Sequence, residues 1–266
     1  MKSGFLSAAT ALALFALAGC GADGLPPTAA VSKDGAAAGS AFPSVAAEAK
    51  PDSPPNPFAD PSEKAAGGRE IIEKPTLADI FAPSPLPEMA WGQPNAPVTI
   101  VQYASLTCPH CRNFHATIFP VLKRDFIDTG RIRYILREFP IGKTSGLATI
   151  ALRCAPADKY LTLYGKFMEQ QPAWVSQEVR PDAIFAVAQQ VGMTRPQFDA
   201  CRENQGMIEA LKWVKERGRK LGIIGTPNYF VGDKLIKREL TLADIRAIAD
   251  GAPIPGTPTA SAVPPQ

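Results

Sequence analysis

Val98–Cys111 reads VTIVQYASLTCPHC, and this stretch decides the fold. Val98–Ala104 is a near-continuous run of β-formers, the pattern of a strand covered on both faces. Thr107 then offers a cap, and Cys108 and Cys111 sit one turn apart at the start of a helix expected to run to Asp128. Phe114, Ile118, Val121, Leu122 and Phe126 supply its apolar positions. Arg131–Arg137 (RIRYILR) alternates Ile132, Tyr134 and Leu136 onto one face, a second strand. Strand, helix and strand in this order imply a parallel pair joined by a right-handed crossover.

Working outward, 143–221 reads as helices over Gly146–Ala155, Tyr160–Met168, Asp182–Val191, Gln197–Arg202 and Met207–Leu221. Asn228–Val231 and Lys234–Ile236 flank Gly232-Asp233, a two-residue hairpin signature. Thr241-Leu-Ala-Asp244 opens a final helix to Ala249 with a capping box. The fold class is therefore α/β: βαβ, a helical insert, then ββα.

A Cys-x-x-Cys pair at a strand-to-helix junction is a redox signature. With Thr107 as cap, Cys108 takes the first helical position, where unpaired N–H groups and the helix dipole stabilise a thiolate. Cys111 lies one turn deeper, so Cys108 is the attacking sulfur. His110 adds a donor beside it. Pro109 costs little in a first turn whose N–H groups are unpaired anyway. A c-type haem site needs His after the second Cys, where Arg112 stands. Zinc would have to use Cys108, Cys111 and His115 with a distant fourth ligand. A purely structural disulfide is the remaining alternative.

On these residues the sequence resembles the DsbA-like branch of the thioredoxin family, the bacterial exported thiol–disulfide oxidoreductases. The resemblance covers about 88–250 and rests on Ala96–Val101, Cys108-Pro109-His110-Cys111, Arg137-Glu138-Phe139-Pro140 and Gly222–Phe230 (GIIGTPNYF). It implies a thioredoxin fold with an inserted helical subdomain and no cofactor. It also implies that Thr226-Pro227 is the cis-proline dipeptide, facing the disulfide and pairing with substrate backbone. One position departs from the family: Gln102 stands where a buried acid is usual, and it cannot titrate. Water or Glu138 would serve in its place, or proton transfer is less assisted.

The 266 residues carry five cysteines. Lys2 precedes an uncharged run, Gly4–Ala18, too short to span a membrane and sized for a signal peptide over 1–19. It ends in Leu17-Ala18-Gly19-Cys20, which resembles the lipobox of bacterial lipoproteins and makes Cys20 the lipidated mature N-terminus. Gly21 rather than Asp after it hints at the outer membrane. Export leaves Cys154 and Cys201, one on each of two insert helices, to form a structural bridge, two buried thiols being the alternative.

Of 27 prolines, 14 fall between Pro26 and Pro97 and five between Pro253 and Pro265. Residues 20–87 therefore read as a disordered tether and 251–266 as a tail. Within the tether, Glu70–Phe81 (EIIEKPTLADIF) reads as a short helical stretch after Pro75 without a function of its own, the alternative being a short helix that docks on the domain or a partner. Residues 21–97 hold 5 Lys+Arg against 10 Asp+Glu, and 98–266 hold 22 against 15, too mild a split to imply nucleic acid.

The expected function is oxidation of reduced or misoxidised exported proteins through Cys108–Cys111. A DsbB-like membrane partner would reoxidise the enzyme, which is expected to be monomeric and lipid-anchored on the periplasmic side. A reductase or isomerase, or a metal-binding lipoprotein, are the alternatives.

Overall fold

The computed structural model describes residues 71–256. The signal peptide, Cys20, the tether up to residue 70 and the tail from 257 lie outside the described residues.

The run VTIVQYA forms the central strand of a five-stranded sheet. The strands are β1 (Met89–Trp91), β2 (Val98–Ala104), β3 (Ile132–Glu138), β4 (Asn228–Val231) and β5 (Lys234–Ile236), in the order β1-β3-β2-β4-β5. Strands β2 and β3 are parallel, with Gln102 opposite Leu136. The pairs β1–β3, β2–β4 and β4–β5 are antiparallel. Burial explains the unbroken apolar character of β2: Ile100 faces one cluster and Val101 the other, and both are fully enclosed. The three-residue β1 carries no alternation long enough to be read from sequence, so the expected two-strand start gains a third, antiparallel member.

The crossover is not one helix. Helix α2 (Pro109–Thr117) stops where Pro120 cannot donate to the preceding turn; α3 (Phe119–Leu122) and a π turn (Lys123–Ile127) complete the connection. The insert comprises α4 (Gly142–Cys154), α5 (Tyr160–Glu169), α6 (Gln171–Trp174), α7 (Pro181–Ala188), α8 (Arg195–Arg202) and α9 (Gln205–Lys220). Helix α10 (Leu242–Ala249) closes the domain behind the expected Thr241–Asp244 capping box. Among the described residues no helix is long and apolar enough to cross a membrane.

Two boundaries need correction. Residues 71–87 are not tether, because they pack on the sheet. Helix α1 (Leu77–Ile80) is capped by Thr76 and Asp79, and Ile80 is 1% exposed among Val101, Tyr103, Ile135, Phe139, Leu221, Ile223 and Phe230. Burying that side chain contributes about 1.5–3 kcal/mol. At the other end, residues 251–256 belong to the domain: Ala252 N–H donates to Ala247 O, and Arg238 donates to Pro255 O.

Glu138 and Arg153 form a buried pair under the insert. Arg153 Nη2 donates to Glu138 Oε2 at 2.7 Å, Arg153 Nε contacts Glu138 Oε1, and Tyr160 Oη donates to that oxygen at 2.6 Å. Removing one partner strands a buried charge, which costs about 3–5 kcal/mol. Arg153→Met is expected to lower stability by that amount, read from the urea midpoint.

Candidate active site

Cys108 caps α2 instead of opening it. Its backbone is extended (φ −78°, ψ 121°), and its Sγ accepts the Cys111 N–H at 3.4 Å. The expected cap, Thr107, lies one residue back and contacts Ser105 Oγ through its hydroxyl at 3.2 Å. Pro109 takes the first helical position, where it lacks nothing. Cys108 and Cys111 are both free thiols; Cys108 is 9% exposed and Cys111 0%.

These surroundings separate the two sulfurs. The Cys108 pKa is lowered to about 5, first by the Cys111 thiol donating to it. Burial opposes this, while the Thr226 side chain and the N–H groups of Cys111 and His110 add to it. In its protonated form Cys108 donates to Thr226 O at 3.1 Å, a bond that ionisation gives up. The Cys111 thiol is pushed well above its ordinary range by burial, by its bond to Cys108 and by the charge there. This asymmetry suits Cys108 to the part of nucleophile and leaving group and Cys111 to that of protonated reserve.

His110 contributes differently from the sequence expectation. Its backbone N–H favours the thiolate, while its side chain is 72% exposed, with Nδ1 3.6 Å from Glu239 Oε2. Glu239 also accepts from Asn113 Nδ2 at 2.5 Å. His115 packs between the rings of Phe119 and Tyr164, and burial lowers its pKa to about 4. Among the described residues no three His, Cys, Asp or Glu side chains gather in a way that would hold a metal ion.

Thr226–Pro227 is a cis peptide, with Thr226 O facing Cys108. Gln102 is 1% exposed; its carbonyl receives Tyr134 Oη, and its amide lies 3.5 Å from Tyr229 Oη. It sits in an uncharged cluster. Glu138 does not replace the missing acid, since Arg153 and Tyr160 hold its carboxylate. Cys154 and Cys201 are joined as a disulfide, Cα atoms 6.2 Å apart, tying α4 to α8.

Four residues at this site stand out individually only in the structure. Gln171 Nε2 donates to Leu106 O at 2.7 Å and Cys108 O at 3.1 Å, fixing the loop before the nucleophile. Ser105 O receives the Cys108 N–H, and Ser105 Oγ receives the Ile141 N–H. Ile141 is 49% exposed and Ile224, two residues before Thr226, is 74% exposed. Ile141 is the residue bonded to Ser105, and Ile224 lies on the loop that carries Thr226.

The sequence and the fold are similar to those of known proteins. A Rickettsia bellii protein, named as a candidate protein-disulfide oxidoreductase, is 29% identical over 169 residues, which are 61% of this chain and 64% of that one. Disulfide bond formation protein D of Bacillus subtilis is 29% identical over 153 residues, covering 55% of this chain and 68% of that one. The chain thus spans less than two thirds of the length of the Rickettsia relative. The crystal structure of Wolbachia pipientis alpha-DsbA1 superposes with a TM-score of 0.57 at 25% identity, over 62% of this chain and 92% of that one. The sequence profile described as thioredoxin matches residues 85–251, the strands, the cysteine pair and the insert together, and the chain belongs to the thioredoxin family.

Proposed function

We propose that the chain is an exported DsbA-like thiol–disulfide oxidoreductase that oxidises client thiols. The observation that carries the reading is the asymmetry of the pair: a Cys108 thiolate at the start of α2, facing Thr226-Pro227, against a buried, protonated Cys111. In the oxidised enzyme a client thiolate attacks Cys108 Sγ. The Cys108–Cys111 bond breaks, a client–Cys108 bond forms, and Cys111 leaves and takes up a proton. A second client thiolate attacks the client sulfur of that mixed disulfide and expels Cys108 as thiolate. The client loses two electrons and the enzyme gains them. A low leaving-group pKa favours the second step, and a stabilised thiolate makes the disulfide a stronger oxidant.

Thr226 backbone, Pro227, Ile141 and Ile224 hold the client's extended, apolar segment beside the sulfur. A DsbB-like membrane protein that passes electrons to quinone restores the disulfide. Cys20 carries the lipid that keeps the monomeric enzyme on the periplasmic side of a bacterial membrane, and the Cys154–Cys201 bridge braces the insert. The relatives named for disulfide chemistry support this reading.

The test mixes oxidised enzyme with a reduced, unfolded disulfide protein in the absence of other oxidants. One client disulfide should form per enzyme, and its absence rejects the reading. For the anchor, Cys20→Ser should release the protein from membranes; unchanged retention defeats that part.

A further inference from the structure

The docked segment 71–81 lies ahead of the family match, which begins at residue 85, and it converges on the loop that carries Thr226. Ile72 N–H donates to Lys220 O at 2.7 Å, at the last turn of α9. Arg217, one turn earlier on that helix, donates to Asp79 O at 2.7 Å and lies 3.3 Å from Asp79 Oδ1. From the sheet, Arg137 Nη1 donates to Ile80 O at 2.6 Å and to Tyr103 Oη at 3.1 Å. Ile80 is thereby clipped on both sides, and its side chain, with Ile72, joins the apolar cluster that contains Leu221 and Ile223.

Helix α9 ends at those residues. Gly222 takes a positive φ of 84°, and Ile223 N–H returns to Gly218 O, which turns the chain into Ile224-Gly225-Thr226-Pro227. Gly218 lets the helix lie close to the sheet, since a Cβ there would meet the Tyr103 ring at 2.9 Å. Leu221 and Ile223 are each 1% exposed, yet Ile224 is 74% exposed. The loop therefore has one buried foot, and segment 71–81 forms one wall of the socket holding it. Thr226 O, three residues beyond Ile223, is 3.1 Å from Cys108 Sγ.

We propose that segment 71–81 is a positioning element of the exchange site. Ile80, held by Arg137 at its own carbonyl and by Arg217 through Asp79, fixes the 221–226 loop so that the Thr226 backbone meets Cys108 and the client strand at the correct distance. Ile80 and Arg217 touch neither sulfur nor client and act through the loop. The proposal rests on the exchange chemistry proposed above but not on the direction of electron flow.

The experiment uses the full chain and three variants, measured well below their melting temperatures. Ile80→Ala opens the socket, Arg217→Lys removes the paired bonds to Asp79 without opening a cavity, and Ile184→Ala removes an equally buried side chain from α7. In Ile80→Ala and Arg217→Lys the client KM should rise about threefold or more with kcat nearly kept, as expected when binding geometry loosens. The pH midpoint of Cys108 alkylation should also move. Ile184→Ala should lower stability and leave KM and midpoint at wild-type values. If Ile80→Ala does not fold, Arg217→Lys alone decides. Wild-type KM and midpoint in the segment variants, or equal changes in Ile184→Ala, overturn the proposal. A wild-type enzyme without exchange activity would instead reject the parent reading.

Discussion

Replacing Cys111 by Ser should stall exchange at its midpoint. The Cys108 thiolate still attacks a client disulfide, but the thiol that would resolve the adduct is gone. A covalent enzyme–client species should accumulate, with the summed mass, and disappear on reduction. Cys108→Ser should give no such species on the same timescale. Its remaining sulfur, Cys111, is wholly enclosed and its pKa is raised. Burial keeps that thiol protonated and shielded, so it should react at least about 100-fold more slowly. Intact mass spectrometry of the two variants after incubation with an oxidised client reads the result. Comparable adducts in both would show that the site does not distinguish its sulfurs.

The second large effect is a pH-dependent gain in stability on reduction. The Cys108 pKa of about 5 is depressed relative to an unfolded thiol, near 8.5–9. A depressed acid contributes stability that is fully present above its unfolded pKa. That contribution shrinks as pH falls from about 9 toward 5 and is gone below the folded value. At pH 7, two units above the folded pKa, it is of order 2–3 kcal/mol in the reduced protein and absent from the oxidised one, whose Cys108 cannot titrate. The melting temperature of the reduced form minus that of the oxidised form should therefore rise by about 5–10 °C between pH 4.5 and pH 7. Calorimetry on both redox forms checks this. A difference flat with pH would contradict the thiolate assignment.

Sequence patterns reach furthest where one local rule governs the outcome. Strand β2, the cysteine pair, strand β3, the Gly232-Asp233 hairpin and the Thr241 cap each follow from a short stretch, and each stands where the sequence places it. The helix start slips by one residue, from Thr107 to Cys108 as cap, because both side chains can accept a helix N–H and only the tertiary setting chooses. Segment 71–81 shows its apolar residues plainly. Its docking depends on Arg217, Leu221 and Ile223, some 140 positions away, which no local pattern reveals.

The same holds inside the site. Gln102 is visible as a missing acid, but its partners Tyr134 and Tyr229 come from the two strands flanking β2, one parallel and one antiparallel. Gln171 reaches the nucleophile's loop from a four-residue helix in the insert. His110 lies in the motif, yet the group that bears on Cys108 is its backbone N–H, a property of helix geometry more than of the imidazole.

The central claim is that this geometry makes Cys108–Cys111 an oxidising couple, and its equilibrium with glutathione tests that directly. The protein should be poised in buffers of known potential, quenched with acid and alkylated, so that the dithiol fraction is read by mass. A midpoint toward about −120 mV, the range of strong oxidants, is the predicted result, whereas one near about −270 mV, as in thioredoxin, would contradict it.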